Sequence, residues 1–495
     1  MSCAPLEPSP ACSARRGGEK LGFHLNLITV VYALEQATAY GLQGATQSGV
    51  AFSFSGQKGV ANEDGSFEFS FSANLNEDVL LQDDKGDAVA SFPALDPATL
   101  SSCLQSDSST TGQTPNQVRL GTCGDESFAL VTASADALVE RIASDGQVNL
   151  APTLFPPVDG IGAGPYHLHV EGEKAAVSLF GAHEIALLST CDGEVLARSQ
   201  HMDNPVVAVQ PPLEFDVPVD ALLDDTNRRS VGEMRVQHPQ GVVLLPDGSL
   251  VAAFTNLLQP AFRTGEAQIL GKSVLVRFVQ EGNLLRPTSH RILDEENVQS
   301  LISIGGGTIV ASATGALSLS ENGLQAQPDA GALIFVAGET LELKARLPMP
   351  GYAPGTPYVD VEKGYLLVGS LLRATVANIR FTPDFIFSEA PDFALGNQPD
   401  GLDSVFELAP LPGGIVLAPQ FNDDKAHAIL PEGNSILRIP GVFPIDLSGG
   451  TSALRGPLSI SSMLDNRGGV KAAVLLTFSS EVKILHFDRV FGANP

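Results

Sequence analysis

The chain has 495 residues, and 43% of them are hydrophobic, which is enough apolar sequence for more than one folded core. It carries 29 basic and 56 acidic residues, a formal net charge of −27, which argues against a nucleic-acid partner because phosphate backbones are bound by basic surfaces. The 49 glycines and 34 prolines favour many short strands joined by tight turns, so the composition predicts an all-β protein.

Residues 1–20 are predicted to form a polar tether. The segment Met1–Pro5, in which Cys3 follows Ser2, resembles the start of a bacterial lipoprotein whose signal peptide has been removed or left out. The resemblance implies that Cys3 is lipidated and that the protein is extracytoplasmic, at the periplasm, outer membrane or cell surface. No segment approaches the roughly 20 consecutive apolar residues of a spanning helix, so we expect membrane contact only through this anchor.

The five cysteines also indicate in which compartment the protein is located. With Cys3 set aside as the anchor, four remain, and Cys103 and Cys123 flank a Ser/Thr/Gln-rich loop that a disulfide would close. We predict this disulfide, and with it an oxidising compartment. The pairing of Cys12 and Cys191 stays open, and the alternative is five reduced thiols in a cytoplasmic protein.

Residues 21–96 are predicted to form a small β-sandwich. The turn Asn62–Ser66 feeds the segment Phe67–Phe71, which places three phenylalanines on one face, and a further hairpin follows at Val79–Phe92. This pattern resembles immunoglobulin-like or carboxypeptidase-regulatory-like domains of bacterial surface proteins, which implies a spacer or adhesion module. Residues 97–116 are largely polar and are predicted to be a linker.

Residues 117–495 repeat one pattern of an apolar run, a tight glycine-containing turn and a second apolar run that ends in small residues. The clearest copy is Val242–Ala253, and Phe128–Ala133 aligns with Ala175–Phe180 without a gap up to the next Asp-Gly turn. Looser copies stand at Leu301–Ser312, Tyr358–Ser370, Phe406–Pro419 and Ser459–Thr477. Because such a unit cannot bury both faces alone, the copies predict a β-propeller, with seven blades as the expected count.

The third copy carries a family resemblance. Pro239–Val243, followed by the turn Asp247–Leu250, resembles a blade of the NHL, lactonase and quinoprotein-like group of seven-bladed propellers. The chain has no tryptophan, so it departs from the Trp-Asp ends of WD40 blades and from the tryptophan docking of bacterial quinoprotein blades.

Candidate ligand residues are few. His167 and His169 lie two apart in a predicted strand, so both project to one side and are candidates to share a metal or a substrate carboxylate; the alternative is that they are polar channel-lining residues. The lactonase resemblance implies one calcium held by carboxylates and amides at the channel mouth, near His238. The candidates for that site are Asn256, Asp360, Asn422, Asp423 and Asp424.

No catalytic motif appears in the sequence: it contains no G-x-S-x-G, no H-E-x-x-H and no P-loop. We therefore expect a binding or scaffolding protein of the cell envelope that recognises a protein partner through its propeller loops. Two alternatives remain, a calcium-dependent lactonase-like hydrolase with its site at the channel and a structural subunit of a cell-surface assembly.

Overall fold

The computed structural model consists almost entirely of short β-strands. It describes residues 19–92 with gaps at 25–27, 34–35, 42–43 and 74–78; 105–208 with gaps at 125, 144–151 and 158–161; 228–258 with a gap at 231–232; 269–326 with gaps at 271, 316 and 321–322; 331–395 with a gap at 390–392; and 404–486 with gaps at 412–414, 433–434, 439–443, 452 and 465–469. Among these residues no helix is both long enough and apolar enough to cross a membrane. Cys3, Cys12 and Cys103 lie outside them.

The N-terminal region contains two antiparallel sheets that share one core. A short hairpin, Glu19–Lys20 with Phe23–His24, precedes them. One sheet contains Ile28–Ala33, Gln36–Gly41 and Phe67–Ser72, and the other contains Gln57–Val60, Ala51–Phe54, Val79–Asp83 and Ala88–Phe92. The core between them is rich in phenylalanine, and the rings of Phe52 and Phe67 lie 4.5 Å apart. The phenylalanines of the sequence pattern therefore pack inside; membership of an immunoglobulin-like family stays a prediction.

The described residues from Gln105 onwards form seven four-stranded antiparallel blades, whose strands are named below in order from the innermost to the outermost. Blade 1 contains Pro115–Cys123, Glu126–Ala133, Leu138–Ala143 and Thr153–Leu154; blade 2 contains Pro165–Glu171, Lys174–Leu179, Glu184–Ser189 and Val195–Arg198; blade 3 contains Pro239–Leu244, Leu250–Phe254, Lys272–Glu281 and Leu284–Glu296; blade 4 contains Val298–Ser303, Thr308–Ala313, Ala332–Ala337 and Leu343–Pro348. Blade 5 contains Tyr358–Asp360, Tyr365–Gly369, Thr375–Phe381 and Phe387–Glu389; blade 6 contains Ala409–Pro410, Val416–Gln420, Lys425–Glu432 and Ser435–Arg438; blade 7 contains Pro457–Leu464, Val470–Leu476, Glu481–His486 and Gln105–Thr110.

The last blade closes the ring. Its outermost strand, Gln105–Thr110, comes from the start of the propeller and pairs antiparallel with Glu481–His486 near its end. The predicted linker at 97–116 is therefore wrong for these residues, and the propeller begins before Gln117. The strand is polar because it is the outer edge of a blade, and its polarity in the sequence is what suggested a linker.

The long connections leave from one end of the propeller, which we call the long-loop face. Because the four strands of a blade alternate in direction, this end carries the connections from second to third strand and from each outermost strand to the next blade. They include 199–238, 255–271, 314–331, 390–408 and 439–456. Blade 6 has no long connection between its second and third strands, since Lys425–Glu432 follows Val416–Gln420 after four residues.

Several of these connections contain short antiparallel strand pairs. They are Val206–Ala208 with Glu233–Arg235 and Arg228–Ser230, Leu257–Leu258 with Ile269–Leu270, and Leu317–Ser320 with Gly323–Ala326. Phe393–Ala394 and Ile445–Asp446 add to blades 5 and 6, and a single turn of 3₁₀-helix spans His201–Asp203.

Small hydroxyl residues at the ends of second strands join neighbouring blades. The hydroxyl of Thr132 donates to the carbonyl of Tyr166 at 2.9 Å, and that of Ser178 donates to the carbonyl of Gln240 at 2.7 Å. Ser312 and Thr477 make the same contact with Pro354 and Pro115 of the following blades. The small residues that end the repeated pattern are therefore the inter-blade contacts that hold the ring together.

A disulfide joins blades 1 and 2 on the face opposite the long loops. It links Cys123, at the end of the innermost strand of blade 1, to Cys191 in the turn after Glu184–Ser189. This corrects the predicted bridge between Cys103 and Cys123. The sequence suggested neighbours along the chain, whereas the ring brings together cysteines from adjacent blades.

Candidate functional site

The innermost strands surround a central channel, and a ring of side chains near their starts connects them. We call these residues the acceptor ring. Gln117 of blade 1 accepts from the backbone N–H of Leu168 in blade 2. His167 Nδ1 of blade 2 accepts from the N–H of Val242 in blade 3 at 3.3 Å. Each contact satisfies a buried backbone donor that the neighbouring strand would otherwise leave unpaired.

The same ring continues through the closing blades. Glu407, just before the innermost strand of blade 6, accepts from Ile460 N of blade 7 at 3.1 Å. Ser459 of blade 7 accepts from Val118 N of blade 1 at 3.2 Å. Blade 3 has Gly241 at this position, and a Cβ added there would lie 2.9 Å from Leu301 N of blade 4. The glycine thus permits a backbone approach where other blades use a side chain.

A second step of contacts explains the spacing of the two predicted histidines. Two residues beyond His167, His169 Nδ1 accepts from Leu244 N at 3.2 Å. Ser461 of blade 7 does the same for Leu120 N at 3.0 Å. His167 and His169 do project to one side of their strand, as predicted, and their Nδ1 atoms join blade 2 to blade 3.

Burial keeps these histidines neutral. It lowers the pKa of His169 to about 4, with a further contribution from Arg119, and it lowers the pKa of His167 well below its ordinary value. Because Nδ1 accepts a hydrogen bond, the neutral imidazole of His167 carries its proton on Nε2.

The depressed pKa values predict acid sensitivity. Between pH 6.5, the ordinary pKa of histidine, and the pKa of about 4 of folded His169, the unfolded chain binds more protons than the native one. We therefore expect the free energy of unfolding to fall as the pH drops through this range. Urea midpoints by circular dichroism at several pH values measure it, and His169→Asn, which keeps an acceptor at the Nδ1 position, should make the decline shallower. An unchanged pH slope in that variant would contradict the assignment.

A charge pair lies beside the acceptor ring. Arg119 of blade 1 makes a two-point contact with Glu407 of blade 6, and one of its bonds, Nη1 to Oε2, measures 3.1 Å. The Ser459 hydroxyl donates to Glu407 Oε2 at 2.5 Å. Both side chains of the pair are largely buried. Glu407 is therefore a committed carboxylate, and the pair brings no net charge to the channel.

The channel widens into a cavity of about 100 Å³ at its long-loop end. Residues of blades 1, 2, 4, 5, 6 and 7 line it, and its walls include Tyr166, His167, Ser300, Phe406 and Glu407. A volume of this size has room for several waters or for part of a small organic molecule. The cavity is the candidate ligand site of the propeller.

Two rows of aromatic rings extend outwards from the cavity. Phe406 lies in its wall, and ring centroids 5.1 Å and 5.3 Å apart connect it to Phe421 and then to the exposed Phe478, across blades 6 and 7. On another side, Tyr166 contacts Phe180, whose ring lies 4.8 Å from that of His238. Phe478 is exposed on the long-loop face, whereas the rings between it and the cavity are half-buried.

A histidine group continues the second row. The ring of His183 lies 4.4 Å from that of His238 and 4.7 Å from that of His201, and His238 N donates to His183 Nδ1. Burial lowers the pKa of His238 well below its ordinary value, and His183 and His201 add to the effect. The His183 ring meets the other two rings edge-on, so the group is a packing of rings.

The five predicted calcium ligands are not gathered around one ion. Asn256 bonds to Gln237 N and Lys272 O in blade 3, and Asp360 accepts from Lys363 N at the opposite end of blade 5. Asn422, Asp423 and Asp424 follow the second strand of blade 6. Asp423 pairs with Lys425 at 2.6 Å, while Asp424 accepts from the backbone of Arg455 and Gly456. Asn256, Asp360 and Asp424 thus bond to backbone groups at the ends of strands.

Among the described residues, one group of three potential metal ligands has its atoms within 4.8 Å of one another: Cys123, Glu173 and Cys191. Two of its members form the disulfide, so their sulfur atoms are already bonded to each other.

Sequence reasoning missed most of the acceptor ring. Gln117, His167 and Ser459 each stand two residues after a proline that opens an innermost strand, and Gly241 has the same spacing. Aligning the chain on these prolines would have found the position. Arg119 and Glu407 carry no such signal, because they are nearly 300 residues apart and meet only when the ring closes.

Comparisons with known proteins concern the fold. No protein-family model and no curated protein matches the chain. Among solved structures it is similar to a streptogramin B lyase, at 11% identity over 77% of this chain and 97% of the other, with a TM-score of 0.48. It is also similar to virginiamycin B lyase from Staphylococcus aureus (11% identity, 77% and 99% covered, TM-score 0.47) and to the Cps50 (Swd1) propeller domain of Myceliophteria thermophila (12%, 77% and 99%, TM-score 0.48).

Proposed function

We propose that the protein is an extracytoplasmic binding protein that recognises a protein partner through the long-loop face of its propeller. The observation that carries the proposal is the pair of aromatic rows on that face, since aromatic side chains are enriched at the centres of protein interfaces. The long connections leave the propeller at this same face.

The channel chemistry supports binding over hydrolysis. A calcium-dependent hydrolase would need uncommitted carboxylates together with amide oxygens at the channel mouth. Glu407 is the carboxylate among the described cavity residues, and it is held by Arg119, Ser459 and Ile460. The carboxylate that the lactonase-like alternative would use in this cavity is therefore already engaged by the chain itself.

The disulfide supports an extracytoplasmic location. A bond between Cys123 and Cys191 persists in oxidising compartments and is rare in the cytosol. The proposal retains the lipid anchor at Cys3 that the sequence predicts. Membrane fractionation of a Cys3→Ser variant tests the anchor, which the proposal expects to be lost.

The partner surface can be tested with photo-crosslinking residues of matched exposure on the two faces. Met202 (68% exposed) and Phe478 (61%) lie on the long-loop face, whereas Ile386 (67%) and Val361 (51%) lie on the opposite face. In envelopes of the native host we expect one discrete protein adduct from the first pair and none from the second. Adducts from Ile386 and Val361 alone would contradict the proposal.

A fifth photo-crosslinking position tests the alternative that the protein is a structural subunit of a cell-surface assembly. Val60 is an exposed residue on an outer strand of the N-terminal sandwich. A structural subunit that assembles through this region would give its adducts from Val60 instead of the propeller. That outcome would replace the proposed recognition face by the N-terminal one.

A further inference from the structure

The cavity at the long-loop end of the channel holds two polar groups that the chain itself leaves unused. His167 and Ser300 both line it and are 5% and 4% exposed. In the described part of the chain, neither His167 Nε2 nor Ser300 Oγ has a hydrogen-bond partner. A buried polar group left unsatisfied costs about 1–3 kcal/mol, so two beside one cavity indicate an occupant that completes them.

The other side chains restrict the chemistry of that occupant. The imidazole of His167 is neutral and presents an N–H, and the Ser300 hydroxyl can donate or accept. Arg119 and Glu407 neutralise each other, so a charged ligand would lose its hydration without gaining a counter-charge. An apolar ligand would leave both polar groups unpaired. These conditions favour an uncharged molecule rich in hydroxyl groups.

Aromatic walls add a second requirement. Tyr166 and Phe406 line the same cavity, and the row through Phe421 continues towards solvent. Such faces suit a ligand that has carbon-bound hydrogens as well as hydroxyl groups. We infer that the cavity binds an uncharged polyol, such as a sugar, whose hydroxyl groups pair with His167 and Ser300. The cavity shares Tyr166 and Phe406 with the two aromatic rows of the long-loop face, but polyol binding does not require a protein partner.

The chain offers conservative variants with matched controls. In His167→Asn, the Oδ1 atom replaces Nδ1 as the acceptor for Val242 N, while the Nε2–H is removed. His169→Asn makes the same change at the next step of the channel, outside the cavity lining. Ser300→Ala removes the cavity hydroxyl, and Ser289→Ala removes another buried hydroxyl without a partner, in the outermost strand of blade 3.

Saturation-transfer NMR on the full chain provides the measurement, with glycerol, erythritol and glucose as neutral probes and glucuronate and glucosamine as charged comparators. We expect transfer to a neutral probe, binding of glucose at least about tenfold tighter than of either charged sugar, and a loss of about tenfold in affinity in His167→Asn and in Ser300→Ala. His169→Asn and Ser289→Ala should bind as the unmodified protein does. Circular dichroism confirms that all four variants are folded.

Three results would overturn the inference. The first is no transfer to any neutral probe, which would mean that the cavity holds water alone. The second is the finding that glucuronate or glucosamine binds as tightly as glucose. The third is affinity for neutral polyols that survives both His167→Asn and Ser300→Ala.

Discussion

Replacing Glu407 by alanine should lower the free energy of unfolding by about 3–5 kcal/mol, because it leaves the guanidinium of Arg119 buried without its counter-charge. The variant also removes the acceptor of Ile460 N and of the Ser459 hydroxyl. One side chain of blade 6 thus contacts blades 7 and 1, where the ring closes. Urea unfolding, monitored by circular dichroism, measures this loss of unfolding free energy.

An exposed ion pair provides the control. Asp423→Ala breaks the contact with Lys425 on the surface of blade 6 and should cost less than about 1 kcal/mol. The double variant Arg119→Met/Glu407→Leu removes both charges and should be more stable than Glu407→Ala alone. If Glu407→Ala costs no more than Asp423→Ala, the buried pair does not stabilise the closure.

Removing the disulfide should have the second large effect. Cys123 and Cys191 are 68 residues apart in the chain, and closing a loop of this length restricts the unfolded state by about 4 kcal/mol in the chain-entropy estimate. We expect Cys123→Ser/Cys191→Ser to lose roughly this amount of unfolding free energy. The urea midpoint measures it, and a reducing agent should lower the midpoint of the unmodified protein but not that of the variant.

A peptide map under non-reducing conditions identifies the bond directly. Native material should yield the Cys123–Cys191 linked peptide, and Cys103→Ser should leave the midpoint unchanged. A linked peptide that contains Cys103 and Cys123 would contradict the structure and restore the pairing expected from sequence. Free thiols at Cys123 and Cys191 would remove the support for an oxidising compartment.

The blades were predictable because their signals are local. In Val242–Ala253, two apolar runs flank the turn Asp247–Ser249, where the Asp247 side chain accepts from Ser249 N and Gly248 has φ +81°. Apolar periodicity and turn chemistry depend on neighbours in the chain, so they can be read without knowing the fold. The expected seven-bladed, all-β propeller is confirmed by the sheet topology of the described residues.

The candidate site was much less predictable. Of the residues named from the sequence, His167 does line the cavity, and its Nδ1 atom belongs to the acceptor ring; a ligand shared with His169 stays a prediction. Asn256 and Asp424 have positive φ in connections between strands, and their side chains accept from the backbone N–H groups of Gln237 and Gly456 in other connections. A polar residue in a loop gives the same sequence signal in either role.

The sequence alone therefore determined the repeating unit, because each strand and turn is specified by adjacent residues. Only the tertiary structure decided how the ring closes, which cysteines pair and which polar groups meet at the channel. Gln105–Thr110 joins the strand Glu481–His486, and Arg119 meets Glu407, across hundreds of residues. Such contacts depend on the number of blades and on the curvature of the ring, which no local pattern encodes.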